Sequence, residues 1–213
     1  MFIFLFFLGS SLASFTICIA YRINHNIPLN GFSVCDACEE TINPIYLLPF
    51  FGWFLAFGKC KKCFSKIPFK YCFYELFLGI FFIFISDWKI LLVGLCLLFL
   101  AEEDTFNLES SSWICLPLIF LFYGNFKELN TALLISLFIF LYATTVLFEK
   151  MGVGDIPVIV LIFVVFNEIQ FIYFLFLLSI IMLLAFMYTK NHRLPMIPFL
   201  LITFIFVHVV CLF

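Results

Sequence analysis

Residues 2–20 read FIFLFFLGSSLASFTICIA, a run of 19 residues without one charged side chain. At about 1.5 Å of rise per residue, a helix of that length covers about 28 Å, close to the roughly 30 Å of a bilayer's hydrocarbon core. Further apolar runs follow at Cys72–Ser86, Ile90–Ala101, Trp113–Tyr123, Thr131–Phe148, Ile156–Phe166, Phe171–Tyr188 and Pro195–Phe213. They predict an all-α polytopic membrane protein with about eight transmembrane helices. The runs beginning at Ile90, Trp113 and Ile156 are short and leave the count between six and eight. Composition agrees: 66% of the 213 residues are hydrophobic and 11% charged, where a soluble domain has about 45–50% and about 25%. A formal charge of -2 leaves no basic surface for nucleic acid.

Between the first two runs lies the longest polar interruption, residues 22–71. It holds Arg22, Lys59, Lys61, Lys62, Lys66 and Lys70, six of the eleven basic residues. The positive-inside rule places this loop in the cytoplasm. Threading eight spans from it puts Lys150, Lys190 and Arg193 on the same side, with Lys89 and Lys127 opposite. The amino terminus is then outside, and the first run reads as a reversed anchor rather than a cleaved signal peptide. No internal repeat or linker interrupts the chain, so 1–213 reads as one membrane domain carrying the 22–71 loop.

The nine cysteines fall into two groups. Cys18, Cys72, Cys96, Cys115 and Cys211 lie in or beside apolar runs and read as small buried hydrophobes. Cys35-Asp-Ala-Cys38 and Cys60-Lys-Lys-Cys63 are two CxxC pairs with 21 residues between them. Four thiolates so spaced complete a tetrahedral structural zinc site with no open position. A cytoplasmic loop keeps thiols reduced, which favours zinc over two disulfides or redox pairs. The ion would staple a loop with too few apolar residues for a core of its own.

Two acidic clusters stand beside apolar runs: Glu102-Glu103-Asp104 and Gly152-Val153-Gly154-Asp155. One helix out and one helix back separate them, so they return to the same cytoplasmic level. Facing carboxylates at a membrane boundary share a proton, because desolvation and like charge oppose double ionisation. The ionised member can then activate a water and the protonated member donate to a carbonyl, which is aspartic-protease chemistry. Gly152 and Gly154 would accept unusual backbone angles and let an extended substrate approach Asp155. The bland reading is a glycine helix cap followed by a solvated acid, with an interfacial acidic loop. Glu75, early in the second run, either pairs with Lys70 or Lys150, reaches back to the interface, or supports the active site. His25, His192 and His208 show no triad or metal spacing. Gly9-Ser10-Ser11 and Ala13-Ser14 suggest close helix packing, and Ser110–Ser112 suit a helix cap.

In order along the chain, these motifs resemble the type IV prepilin peptidases, including the competence pseudopilin peptidases. Ala13-Ser14-Phe15 leading to Tyr21-Arg22 is similar to the family's amino-terminal segment. The double CxxC matches its cytoplasmic loop, with Leu48-Pro49, Gly58-Lys59-Cys60, Lys66-Ile67-Pro68 and Tyr74-Glu75-Leu76 in the expected order. Gly152–Asp155 matches the second catalytic motif, and Leu194–Leu200 resembles the last-span signature.

The resemblance implies a membrane endopeptidase of the bacterial inner membrane. It would use Asp104 and Asp155 to cut the short basic leader from prepilin or pseudopilin precursors at the cytoplasmic face. Many members also methylate the new amino terminus with S-adenosylmethionine, an activity not assigned to this chain. Ser110–Ser112 stand where the family often ends a stretch in Ile-Pro, which keeps Glu103 and Glu102 as alternatives to Asp104. Pro157 replaces a common lysine and removes a charge partner for Asp155. The rivals are a presenilin-like Gly-x-Gly-Asp intramembrane protease, which cuts inside a substrate's span, and a non-enzymatic transporter or assembly scaffold.

Overall fold

In the computed structural model, the described residues are 1–85, 87–108, 110–122, 131–148, 152, 154–188 and 194–210, without the side chains of 131–134 and 144–148. Lys127, Lys150, Val153, Lys190, His192, Arg193 and Cys211 lie outside them. The described residues are helical, with no strand beyond two isolated bridges. The helices are α1 (Phe2–Asn24), α2 (Phe51–Leu55), α3 (Phe69–Phe84), α4 (Trp88–Asn107), α5 (Cys115–Leu121), α6 (Thr131–Phe148), α7 (Asp155–Val165), α8 (Glu168–Tyr188) and α9 (Ile197–Val210). Each of the eight apolar runs therefore carries a helix. α1 and α8 are long and apolar enough to cross a bilayer. Only 22% of the apolar window in α1 and 17% of that in α8 is buried. Ile172, Phe176, Leu183 and Leu184 stand open on α8, as lipid-facing side chains do and soluble-core side chains do not.

The chain forms two compact units, Met1–Ser86 and Asp87–Phe213. The first is built on α1 packed against α3. The buried face of α1 is Gly9, Ser10, Ala13, Ile17 and Ala20, small residues at helical spacing that let the backbones approach. Ser10 Oγ donates to the Glu75 carbonyl at 2.9 Å. A Cβ added at Gly79 would come within 2.7 Å of the Phe6 ring, so the crossing point has no room for one.

The second unit packs α4 and α8 against α9, and α5 and α6 against α7. Asp87 starts α4 as an N-cap, accepting from the Lys89 N–H at 2.9 Å. α4 continues six residues past the apolar run, through Glu102-Glu103-Asp104, and stops where Leu108 turns left-handed at φ 56°. α7 starts at Asp155 and ends before Asn167, where the chain turns into α8.

Candidate active site and metal centre

In the first unit, the two CxxC segments have the same backbone design. The Cys35 N–H donates to the Glu40 carbonyl at 3.0 Å and the Glu39 N–H to the Cys35 carbonyl at 2.8 Å. Twenty-five residues on, the Cys60 N–H donates to Ser65 at 2.9 Å and the Phe64 N–H to Cys60 at 3.0 Å. Bridges Val34 to Thr41 and Lys59 to Lys66 close the two turns at the same offset. Each turn passes through a left-handed residue just after its second cysteine, Glu39 at φ 55° and Phe64 at φ 61°. This is a repeat of backbone hydrogen bonding; only the cysteines reveal it in the sequence.

The four sulfurs lie within 4.8 Å of one another, and Cys35 Sγ is 3.7 Å from Cys63 Sγ. That is far beyond a disulfide bond of about 2.0 Å. It matches the edge of a sulfur tetrahedron, about 3.8 Å when each zinc–sulfur bond is about 2.3 Å. The donor set therefore fits a structural zinc ion held by Cys35, Cys38, Cys60 and Cys63. Electrostatics points the same way. The Ser65 hydroxyl, then backbone N–H groups, pull the Cys35 thiol down to about 6, and Ser65 also lowers Cys63. At Cys38 the Glu40 N–H acts downward, but desolvation and the neighbouring thiols outweigh it and push the thiol up to about 12. Without a cation the cluster cannot hold four negative charges. Lys62 Nζ, 2.6 Å from Glu40 Oε2, ties one turn to the other at the surface, where such a pair adds little stability.

Two side chains anchor this loop to its helices. Arg22, 9% exposed at the end of α1, donates to the carbonyls of Pro28, Leu29, Gly31 and Phe32 at 2.7–3.2 Å. Glu75 on α3 accepts the Phe50 N–H at 2.6 Å, holding a non-glycine residue at φ 63°, and is also bonded by Ser14. Glu75 lines a cavity of about 360 Å³ with Ser14, Tyr21, Asp36, Tyr46 and Tyr71.

The second unit gathers the acids. Glu102, Glu103 and Asp104 are 6%, 5% and 7% exposed, so all three are removed from bulk solvent. Successive residues on a helix point about 100° apart, and these three accordingly have different neighbours. Glu103 Oε2 accepts the Ser111 N–H at 2.9 Å and so fixes the 110–112 segment. Asp104 Oδ2 accepts the Ile197 N–H at 2.9 Å, and its carboxyl also takes the Met196 N–H. Asp155, the first residue of α7, lies close enough to Asp104 to feel its charge. Its N–H donates to the Gly152 carbonyl at 3.1 Å, and the Gly152 N–H bonds its carboxyl in return. The ends of α4, α7 and α9 thus bring Asp104 and Asp155 together, while Glu103 is spent on Ser111.

The glycines earn their positions by size. Gly154 has φ -64° and ψ -22°, ordinary for any residue, so conformational freedom is not its reason. A Cβ there would sit 3.1 Å from Ser110 Oγ, and one at Gly152 would sit 3.3 Å from Asp155 Oδ2. Sequence reasoning missed the backbone donors of Met196 and Ile197. Pro195 and Pro198 around a helix start were the available signal.

Residues 7–89 match the family described as the bacterial peptidase A24 N-terminal domain. The match covers the α1–α3 unit and its four cysteines; Asp104 and Asp155 lie beyond it. No curated protein and no solved structure matches the chain. Residues 7–89 are therefore similar to a prepilin peptidase N-terminal domain, consistent with a member of the type IV prepilin peptidase family.

Proposed function

We propose that this chain is a membrane aspartic endopeptidase that removes the short basic leader from type IV prepilin-like or pseudopilin precursors, at the cytoplasmic face of the bacterial inner membrane. The observation that supports the proposal is that Asp155 lies within electrostatic range of Asp104, 51 positions away in the chain. The domain match at residues 7–89 supports the substrate class. We take 1–213 as one polytopic peptidase of about eight spans, with the 22–71 loop cytoplasmic and stapled by zinc.

A water between the carboxyl groups loses a proton to the ionised aspartate as its oxygen attacks the scissile carbonyl carbon. The protonated aspartate gives its proton to the carbonyl oxygen. Collapse of the tetrahedral adduct breaks the carbon–nitrogen bond: the proton taken from water passes to the leaving amine, and one hydroxyl of the adduct returns its proton to the other aspartate as the carbonyl re-forms. Gly152 leaves beside the Asp155 carboxyl, and Gly154 beside Ser110, the room that a Cβ would take. Glu75 holds the Phe50 turn within the first unit. Zinc on Cys35, Cys38, Cys60 and Cys63 orders the loop and takes no part in the chemistry. We do not extend the proposal to S-adenosylmethionine-dependent methylation, which the resemblance alone carries.

The test is co-expression of a prepilin-like substrate with Asp104→Asn or Asp155→Asn. Both variants should leave the precursor uncut. Normal leader removal by either refutes the dyad, and a product whose new amino terminus lies inside the substrate's span refutes the substrate class.

A further inference from the structure

α9 begins without a local cap. The residues before it, Leu194, Pro195 and Met196, have no side-chain oxygen, and the first turn of any helix has N–H groups with no partner inside it. Asp104 fills that vacancy from 93 positions away, accepting the Ile197 N–H at 2.9 Å within a buried contact. The relation is reciprocal. Asp104 caps α9, and the N-terminal end of a 14-residue helix places its partial positive charge and two N–H donors on Asp104. Among the described residues, Asp155 has one backbone donor, Gly152 in its own turn. The two carboxyl groups are therefore not equivalent.

We propose that Met196 and Ile197 are positioning residues whose backbone N–H groups hold Asp104 as the ionised, water-activating member of the pair, leaving Asp155 as the proton donor. This rests on the dyad proposed above. Among the described residues, the other charged groups around Asp104 do not supply the asymmetry. Asp155 on α7 is the like-charged partner itself, and Glu103 on α4 is bound to the Ser111 N–H. Glu102 precedes it on α4 by two residues, and Cys115 is the sole titratable group of α5. His208, the titratable residue of α9, is three turns from Ile197.

The experiment deletes one donor atom. Ile197→Pro removes the N–H at the first helical position, where proline's fixed φ is compatible with a helix. Ile197→Ala keeps the N–H and trims the side chain. Each full-length variant is assayed on a prepilin-like precursor in detergent across pH, beside Asp104→Asn and Asp155→Asn. Ile197→Pro should lower kcat about 10- to 100-fold with KM near that of the parent, and move the acidic limb of the profile to higher pH. Ile197→Ala should keep the parental limb.

A second measurement needs no variant to fold. In the parental protein labelled with ¹⁵N-isoleucine, the Ile197 amide resonance should shift with pH along the acidic limb of activity. A flat Ile197 resonance overturns the inference, as does an Ile197→Pro enzyme with unchanged rate and profile while both asparagine variants are dead. If the asparagine variants cut, the dyad itself has failed.

Discussion

Replacing Arg22 tests whether one side chain sets the path of the chain into the first metal turn. Its guanidinium bonds four carbonyl oxygens between Pro28 and Phe32, immediately before Ser33 and Cys35. A hydrogen bond to a charged donor contributes about 1.5–3 kcal/mol net. Glutamine has two N–H donors on a shorter stem, so Arg22→Gln loses at least two of the four bonds. Leu29, Gly31 and Phe32 are exposed, and water replaces part of the loss. About 2 kcal/mol should remain, which raises the population of the opened loop about 30-fold. Lysine keeps the charge but not the planar fork, and should recover less than half of the effect. Two readouts apply to the purified protein in detergent: the rate of limited proteolysis between residues 27 and 34, and the rate of zinc transfer to a chromogenic chelator. Both should rise in the order parent, Arg22→Lys, Arg22→Gln. Parental rates in Arg22→Gln would show that the four contacts do not anchor the loop.

Two more outcomes follow from the geometry. The protein should carry one zinc per chain and lose it in Cys60→Ser. With Cys35 near 6 and Cys38 near 12, binding at pH 7 must expel the Cys38 proton, so affinity should fall at least about tenfold for each unit of acidification. Calorimetry in two buffers of different ionisation enthalpy reads the released protons directly, and uptake without proton release would contradict the four-thiolate site. Gly79→Val forces a side chain onto Phe6 and Ser10 and should cost about 1–3 kcal/mol at the α1–α3 crossing. An unchanged thermal midpoint in detergent would show that the crossing can open to accept it.

What the sequence reveals here depends on how local each interaction is. The CxxC pairs were legible because two ligands three residues apart must share one ion, whatever surrounds them. The left-handed Glu39 and Phe64 were not, since both residue types ordinarily avoid that conformation and only the closed turn enforces it. Each apolar run carries a helix, but the run at Ile90–Ala101 stopped short of the end of α4. Glu102, Glu103 and Asp104 continue that helix, and the partners of Glu103 and Asp104 come from segments packed beside it. Asp104 could not be separated from Glu103 on the page of letters, because the difference lies in which way each points: one toward α9, the other toward Ser111. Of the two reasons the sequence offered for the glycines beside Asp155, backbone freedom and open space, the ordinary backbone angles of Gly154 remove the first at that position.

α7 has 11 residues, about 16 Å of helix, and its far end turns at the exposed polar pair Asn167-Glu168. If that pair touches one aqueous phase, the lipid tails beside α5 and α7 must either shorten to about half their usual span or leave Asp155 below the headgroups. The first outcome thins the bilayer beside α7. A pinched patch of membrane shortens the distance that solvent has to travel to reach a buried acid, and a precursor anchored by a single span would meet the carboxyl groups without leaving the lipid.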